Sequence, residues 1–129
     1  IRGLQTSQAT VDQARALSER MGKTWVEAKD IPGFAVNRIL MPMINEAFFA
    51  LMEGLASAED IDTACRLGFG HAMGPLETAD LTGVDIMLNA DLSVYNEAHH
   101  QAFEPPELIR QMVAEGNLGR KTGQGFYQY

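Results

Sequence analysis

Between Phe34 and Glu53 the chain reads FAVNRILMPMINEAFFALME, with Ile39, Leu40, Met43, Ile44, Ala47, Phe48, Leu51 and Met52 at helical spacing. So broad an apolar stripe cannot be covered by one neighbour, so the run predicts a helix packed against several others or against a second body. Gly54 ends it. Pro42, inside it, predicts a kink or a local 3₁₀ turn, because proline brings no N–H to the ladder.

Downstream, Ser57 with Asp60 three residues later is close to a capping box and predicts a helix through Leu67 that buries Ile61, Ala64 and Cys65. Gly68 to Gly74 reads as a loop, and Pro75 stands where a first helical residue is favoured. Leu76 to Leu81 predicts a short helix, interrupted at Thr82–Gly83. Val84 to about His99 predicts another, with Ile86, Met87, Ala90, Val94 and Ala98 on one side. Pro105 and Pro106 break the chain again, and Glu107 to Glu115 forms a last helix stopped by Gly116. Residues from Phe34 onward therefore predict an all-α domain of about five helices.

The opening segment is different in kind. Thr6 and Ser7 can cap a helix with apolar residues at Val11, Ala14, Leu17 and Met21, stopped by Gly22. Thr24 to Ala28 then predicts a short strand, because Trp25 and Val26 favour extended backbone. No other segment offers it a partner, and a lone strand cannot satisfy its own backbone. Residues 1–30 are thus expected to be the last helix and strand of a sheet domain lying upstream, and residues 31–129 the helical domain. The start at Ile1 rather than Met fits that expectation.

Composition narrows the function classes. With 17 acidic against 10 basic residues the net charge is −7, which opposes a nucleic-acid binder needing a basic footprint. No apolar run reaches the ~20 residues of a membrane span, and no signal segment opens the chain. A single cysteine, Cys65, excludes an internal disulfide framework, so a cytoplasmic setting is expected.

Few residues stand out as chemical. Gly68, Gly70 and Gly74 have the wrong spacing for a dinucleotide turn and follow a helix, not a strand. His71, His99 and His100 do not pair at i, i+4 and have no cysteine pair beside them, so no metal site is expected. Cys65 reads as a small core residue. Asn37, early in an otherwise apolar helix, can either satisfy local backbone or offer a fixed donor to a carbonyl outside the helix. Lys121, bracketed by glycines, is either a solvated tail charge or a cation aimed at a phosphate or hydroxyl. From the residues alone both pairs of readings stand.

Three ordered motifs go further: P-G-F-x-x-N-R from Pro32, G-x-x-M-G-P-x-E reaching Glu77, and L-G-x-K-T-G-x-G-F-Y from Leu118. Together they resemble the C-terminal domain of L-3-hydroxyacyl-CoA dehydrogenases, the short-chain 3-hydroxybutyryl-CoA enzymes above all, over essentially the whole chain. A small departure is His71–Ala72 before Met73, where the family often has a proline or another small residue.

The resemblance implies a two-domain enzyme that oxidises (S)-3-hydroxyacyl-CoA to 3-ketoacyl-CoA. Its NAD-binding domain, with the Ser, the catalytic His and the Glu that orients it, would lie upstream of Ile1. The helical domain would complete the acyl-CoA cleft and form the homodimer. Asn37 matches the family asparagine that holds the substrate near its reacting carbon, and Lys121 matches a tail lysine that reaches NAD. The 129 residues alone would then be inactive. The rival expectations are a stand-alone scaffold subunit and the domain of a related hydroxy-acid dehydrogenase.

Overall fold

The computed structural model describes residues 1–129 as two compact units, Ile1–Arg38 and Ile39–Tyr129. The first holds α1 (Gln8–Arg20). Ser7 caps it, its hydroxyl accepting from the Thr10 N–H at 3.2 Å, and Gly22 turns the chain away with φ +69°. Of the four apolar positions expected to face inward, Val11 is buried, while Leu17 and Met21 are exposed.

The strand predicted over Thr24–Ala28 does not form. The segment makes one isolated parallel bridge, Arg2 with Lys29, in which the Arg2 N–H donates to the Ala28 carbonyl at 3.0 Å. One bridge is no ladder, and the β-favouring side chains of Trp25 and Val26 cannot supply the missing neighbour. Arg15 and Glu27 pair at 3.5 Å beside Trp25, whose ring lies 6.0 Å from the Arg15 guanidinium.

Five α-helices follow, as the punctuation predicts: α2 (Val36–Met52), α3 (Ala58–Phe69), α4 (Pro75–Thr82), α5 (Val84–Ala98) and α6 (Glu107–Glu115). Helix α2 continues through Pro42 with no 3₁₀ segment. Pro75 opens α4 as its first residue, and Gly83, at φ +108°, separates α4 from α5. Helix α3 runs past Gly68 to Phe69 and is closed by Gly70 in the left-handed region.

The core of the second unit gathers Met41, Ile44 and Phe48 from α2, Leu76 and Ala79 from α4, Val84, Met87 and Val94 from α5, and Ile109 and Met112 from α6. Burying each large side chain contributes about 1.5–3 kcal/mol. The tail takes part, since Phe126 stacks on Phe48 with ring centroids 5.1 Å apart. Two faces differ from expectation. Helix α3 buries Ile61 and Asp62 and leaves Ala64 exposed and Cys65 only partly covered, and Ile86 of α5 is exposed where Asp91 is buried. In both cases a hydrogen-bonded acid occupies the inward position. No helix is long and apolar enough to cross a membrane.

Candidate functional site

The Pro32–Gly33–Phe34 turn delivers Asn37 to the start of α2. The Phe34 N–H donates to the Ile31 carbonyl, and the Arg38 N–H to the Gly33 carbonyl, each at 2.9 Å. A Cβ on Gly33 would sit 3.0 Å from the Arg38 nitrogen, and Gly33 has φ +77°, so the turn requires glycine. Phe34 is also left-handed, at φ +49°, a conformation costing about 1–2 kcal/mol in a residue with a Cβ. The second residue of α2 is then Asn37, exposed, its amide making no hydrogen bond within the chain. Of the two readings open at the sequence level, local backbone satisfaction is absent from the structure. What stands at the positive end of the helix is a carboxamide free to meet an outside acceptor.

Lys121 lies in a 3₁₀ turn, Arg120–Thr122, inside a loop pinched by antiparallel bridging of Gly119 with Gln124. The loop is tied to the start of α5, where the Val84 N–H donates to the Leu118 carbonyl at 3.2 Å. The Lys121 ammonium donates to Asp85 in the first turn of α5, and that bond holds the Asp85 carboxyl below its usual range although burial pulls the other way. The lysine side chain remains 44% exposed. Two of its three N–H donors are left for an external group.

Two buried aspartates lock the tail that carries Lys121. Asp62 of α3 caps α4, accepting from the Leu76 and Glu77 N–H groups at 2.8 Å, and also accepts from the Tyr127 hydroxyl at 2.7 Å. Asp80 of α4 accepts from the Phe126 and Tyr127 N–H groups at 3.0 Å and from the Tyr129 hydroxyl at 3.1 Å. The glycines of the tail motif explain themselves here: a Cβ on Gly125 would enter the Asp80 carboxylate, and one on Gly119 the Asp80 backbone. Arg120 adds an ion pair to Glu77 at 2.8 Å and stacks over the Tyr129 ring. The surface beside this lock is a cleft of about 340 Å³ between Glu59, Arg66, Glu77 and Tyr129.

Asn37 and Lys121 thus belong to different compact units. Gly74 and Pro75 of the central motif are buried structural residues, and a Cβ on Gly74 would strike Asp62. His71 is exposed with its ring 5.5 Å from that of Phe69, His99 closes α5, and the His100 ring accepts from the Ala102 N–H at 3.2 Å. Burial, and then the Asp62 charge, push the Cys65 thiol up, which keeps it a poor nucleophile. Sequence reasoning missed Asp62, Asp80, Asp85 and Asp91. For Asp85 a signal was present in the run T-G-V-D, where the acid follows a helix-breaking glycine and so falls in a helix's first turn.

Residues 33–129 match the family described as 3-hydroxyacyl-CoA dehydrogenase, C-terminal domain. The chain belongs to that family. Of the 3-hydroxyacyl-CoA dehydrogenase relatives it resembles, a probable 3-hydroxybutyryl-CoA dehydrogenase of Bacillus subtilis is 46% identical over the whole chain and 45% of the relative's length. A 3-hydroxybutyryl-CoA dehydrogenase of Bradyrhizobium diazoefficiens is 43% identical over the whole chain and 44% of its own. The crystal structure of (S)-3-hydroxybutyryl-CoA dehydrogenase from Ralstonia eutropha superposes with a TM-score of 0.94 at 52% identity, over 99% of this chain and 45% of that one. This 3-hydroxyacyl-CoA dehydrogenase C-terminal domain therefore spans slightly less than half the length of the relatives it matches.

Proposed function

We propose that this chain works as the helical half of an NAD-dependent (S)-3-hydroxyacyl-CoA dehydrogenase acting on short acyl chains such as 3-hydroxybutyryl-CoA. In this reading residues 1–30 complete a nucleotide-binding domain and residues 31–129 are the substrate and dimerisation domain of a cytoplasmic enzyme. The observation that carries the reading is Asn37, an exposed and unpaired carboxamide held by a strained, glycine-dependent turn inside the P-G-F-x-x-N-R motif. Strain of this kind is retained where position matters.

Asn37 orients the substrate by donating its amide N–H to the oxygen on the reacting carbon, an effect of positioning and of charge stabilisation. Lys121 fits a supporting role toward NAD: it is a half-exposed ammonium with free donors, on a loop locked from behind. When bound, the nicotinamide supplies the hydride acceptor. In this reading the glycine-rich turn that cradles the cofactor belongs to the NAD-binding half, and this chain adds Lys121 from the other side.

Exposed apolar side chains on and just after α2, namely Ile39, Phe49, Met52 and Leu55, support the homodimer of this reading, since they favour a covering surface. Light scattering of the 129-residue chain should give twice 14.2 kDa. A monomer contradicts the dimer.

The activity is tested by joining the chain to its NAD-binding half and comparing acetoacetyl-CoA with free 3-hydroxy acids as substrates. The expected result is turnover of the CoA thioester by the two-domain protein and none by the 129 residues alone. Preference for a free hydroxy acid would move the chain to a related dehydrogenase. Absence of any turnover in the joined protein would leave a scaffold subunit.

A further inference from the structure

Asp85 meets Lys121 at a place where three independent features converge. Asp85 is fixed in the first turn of α5, where an acid is favoured by the helix end. Gly83, at φ +108°, lies directly beneath the pair: a Cβ there would stand 3.0 Å from both the lysine ammonium and the Asp85 carboxylate. The bond from the Val84 N–H to the Leu118 carbonyl brings the tail alongside this same turn. A side chain at position 83 would crowd both partners and force each to give by a few tenths of an ångström.

A half-exposed ion pair of this kind adds little to stability, because solvent screens it and two side chains lose freedom in making it. What the pair does accomplish is to hold a long, flexible cation in one direction with two N–H donors unused. Lysine otherwise spends much rotamer freedom when it meets a ligand, and a lysine already immobilised spends less.

We propose that Asp85 is a positioning residue that presents the Lys121 ammonium to the anionic diphosphate of a nicotinamide dinucleotide, with Gly83 leaving room for the pair. This rests on the reading of Lys121 as a cofactor-facing residue. It carries an unusual sign. Asp85 is itself an anion beside a site for an anion, so charge alone requires that removing it tighten cofactor binding. Positioning requires the opposite.

The test uses the two-domain protein, with NADH binding followed by fluorescence and thermal melting recorded alongside. Asp85→Ala is expected to weaken NADH binding about 2- to 12-fold, the range for releasing one rotamer-rich side chain. In a Lys121→Ala background only the charge effect is left, so the same change is expected to cause no loss of affinity and at most a slight tightening, although any loss of helix-start stability would persist there. Asp85→Glu should restore most of the affinity, and the acyl-CoA KM should not move. Tighter NADH binding by Asp85→Ala, or an equal loss with and without Lys121, overturns the inference. If Lys121→Ala alone leaves NADH affinity unchanged, the underlying reading of Lys121 fails instead, so the two failures are distinguishable.

Discussion

The hydroxyl of Tyr127 donates to the Asp62 carboxylate at 2.7 Å, joining residues 65 positions apart, while the other contacts of that carboxylate cap α4. One buried acid thereby ties the last residues of the chain to the helix pair α3–α4. The tail that carries Lys121 is consequently part of the domain's architecture.

Tyr127→Phe removes one hydrogen bond to a buried charge and should cost about 1.5–3 kcal/mol in denaturant unfolding. The tyrosine's own ionisation is pushed well up, chiefly by burial and then by the Asp62 hydrogen bond and charge. A folded-state pKa above the unfolded value of about 10 means that the stabilisation is complete below pH 10 and fades as pH rises further. Tyr129 is also pushed up, chiefly by burial, so phenolate absorbance should show late tyrosine ionisation in the folded protein, and Tyr127→Phe should remove its latest step.

Asp91 has the opposite environment from Asp62. It is fully buried, receives one hydrogen bond from the Asn45 amide at 3.1 Å, and has its second oxygen without a partner. Burial raises its pKa to about 7, against the weaker opposing pull of Asn45. The raised value means that the folded state keeps a proton which the unfolded state loses near pH 4, so stability declines from pH 4 to pH 7 and then levels off. Asp91→Asn should flatten that decline in a series of denaturant titrations, by an amount on the order of 4 kcal/mol at full effect. An unchanged pH profile would count against this assignment.

Two glycine substitutions separate backbone strain from packing. Gly22→Ala meets a left-handed φ but open space, and should cost about 1 kcal/mol, the low end of the penalty for a Cβ in that region. Gly125→Ala, in contrast, drives a Cβ into the Asp80 carboxylate and should cost about 1–3 kcal/mol by overpacking, together with the hydrogen bonds of Phe126 and Tyr127. Comparable melting losses in the two variants would contradict the tight seating of the tail.

The helical half of the fold was legible in local chemistry. Ser7 and Ser57 cap, Pro75 opens a helix, and Gly116 closes one, each acting within a turn of its own position. What local chemistry could not supply is the inward turn of the acids. Asp62, Asp80 and Asp91 look like surface residues until their partners, 14 to 65 positions away, are in place. For the same reason Cys65 and Ala64 were expected inside a helix that buries Asp62 instead. The strand at Trp25 failed because strand propensity needs a neighbouring strand. Asn37 and Lys121 were singled out through the ordered motifs, and the partner of Lys121, Asp85, was not.

In the proposed function Asn37 serves the reaction and not the fold. That role is tested by the turnover of Asn37→Ala in the two-domain protein with acetoacetyl-CoA and NADH, beside its melting temperature. The expected result is a fall in kcat of roughly 100- to 1000-fold, as for the loss of one hydrogen bond to developing charge, with melting unchanged because that amide has no partner in the chain. Near-normal turnover in a folded Asn37→Ala protein would contradict it.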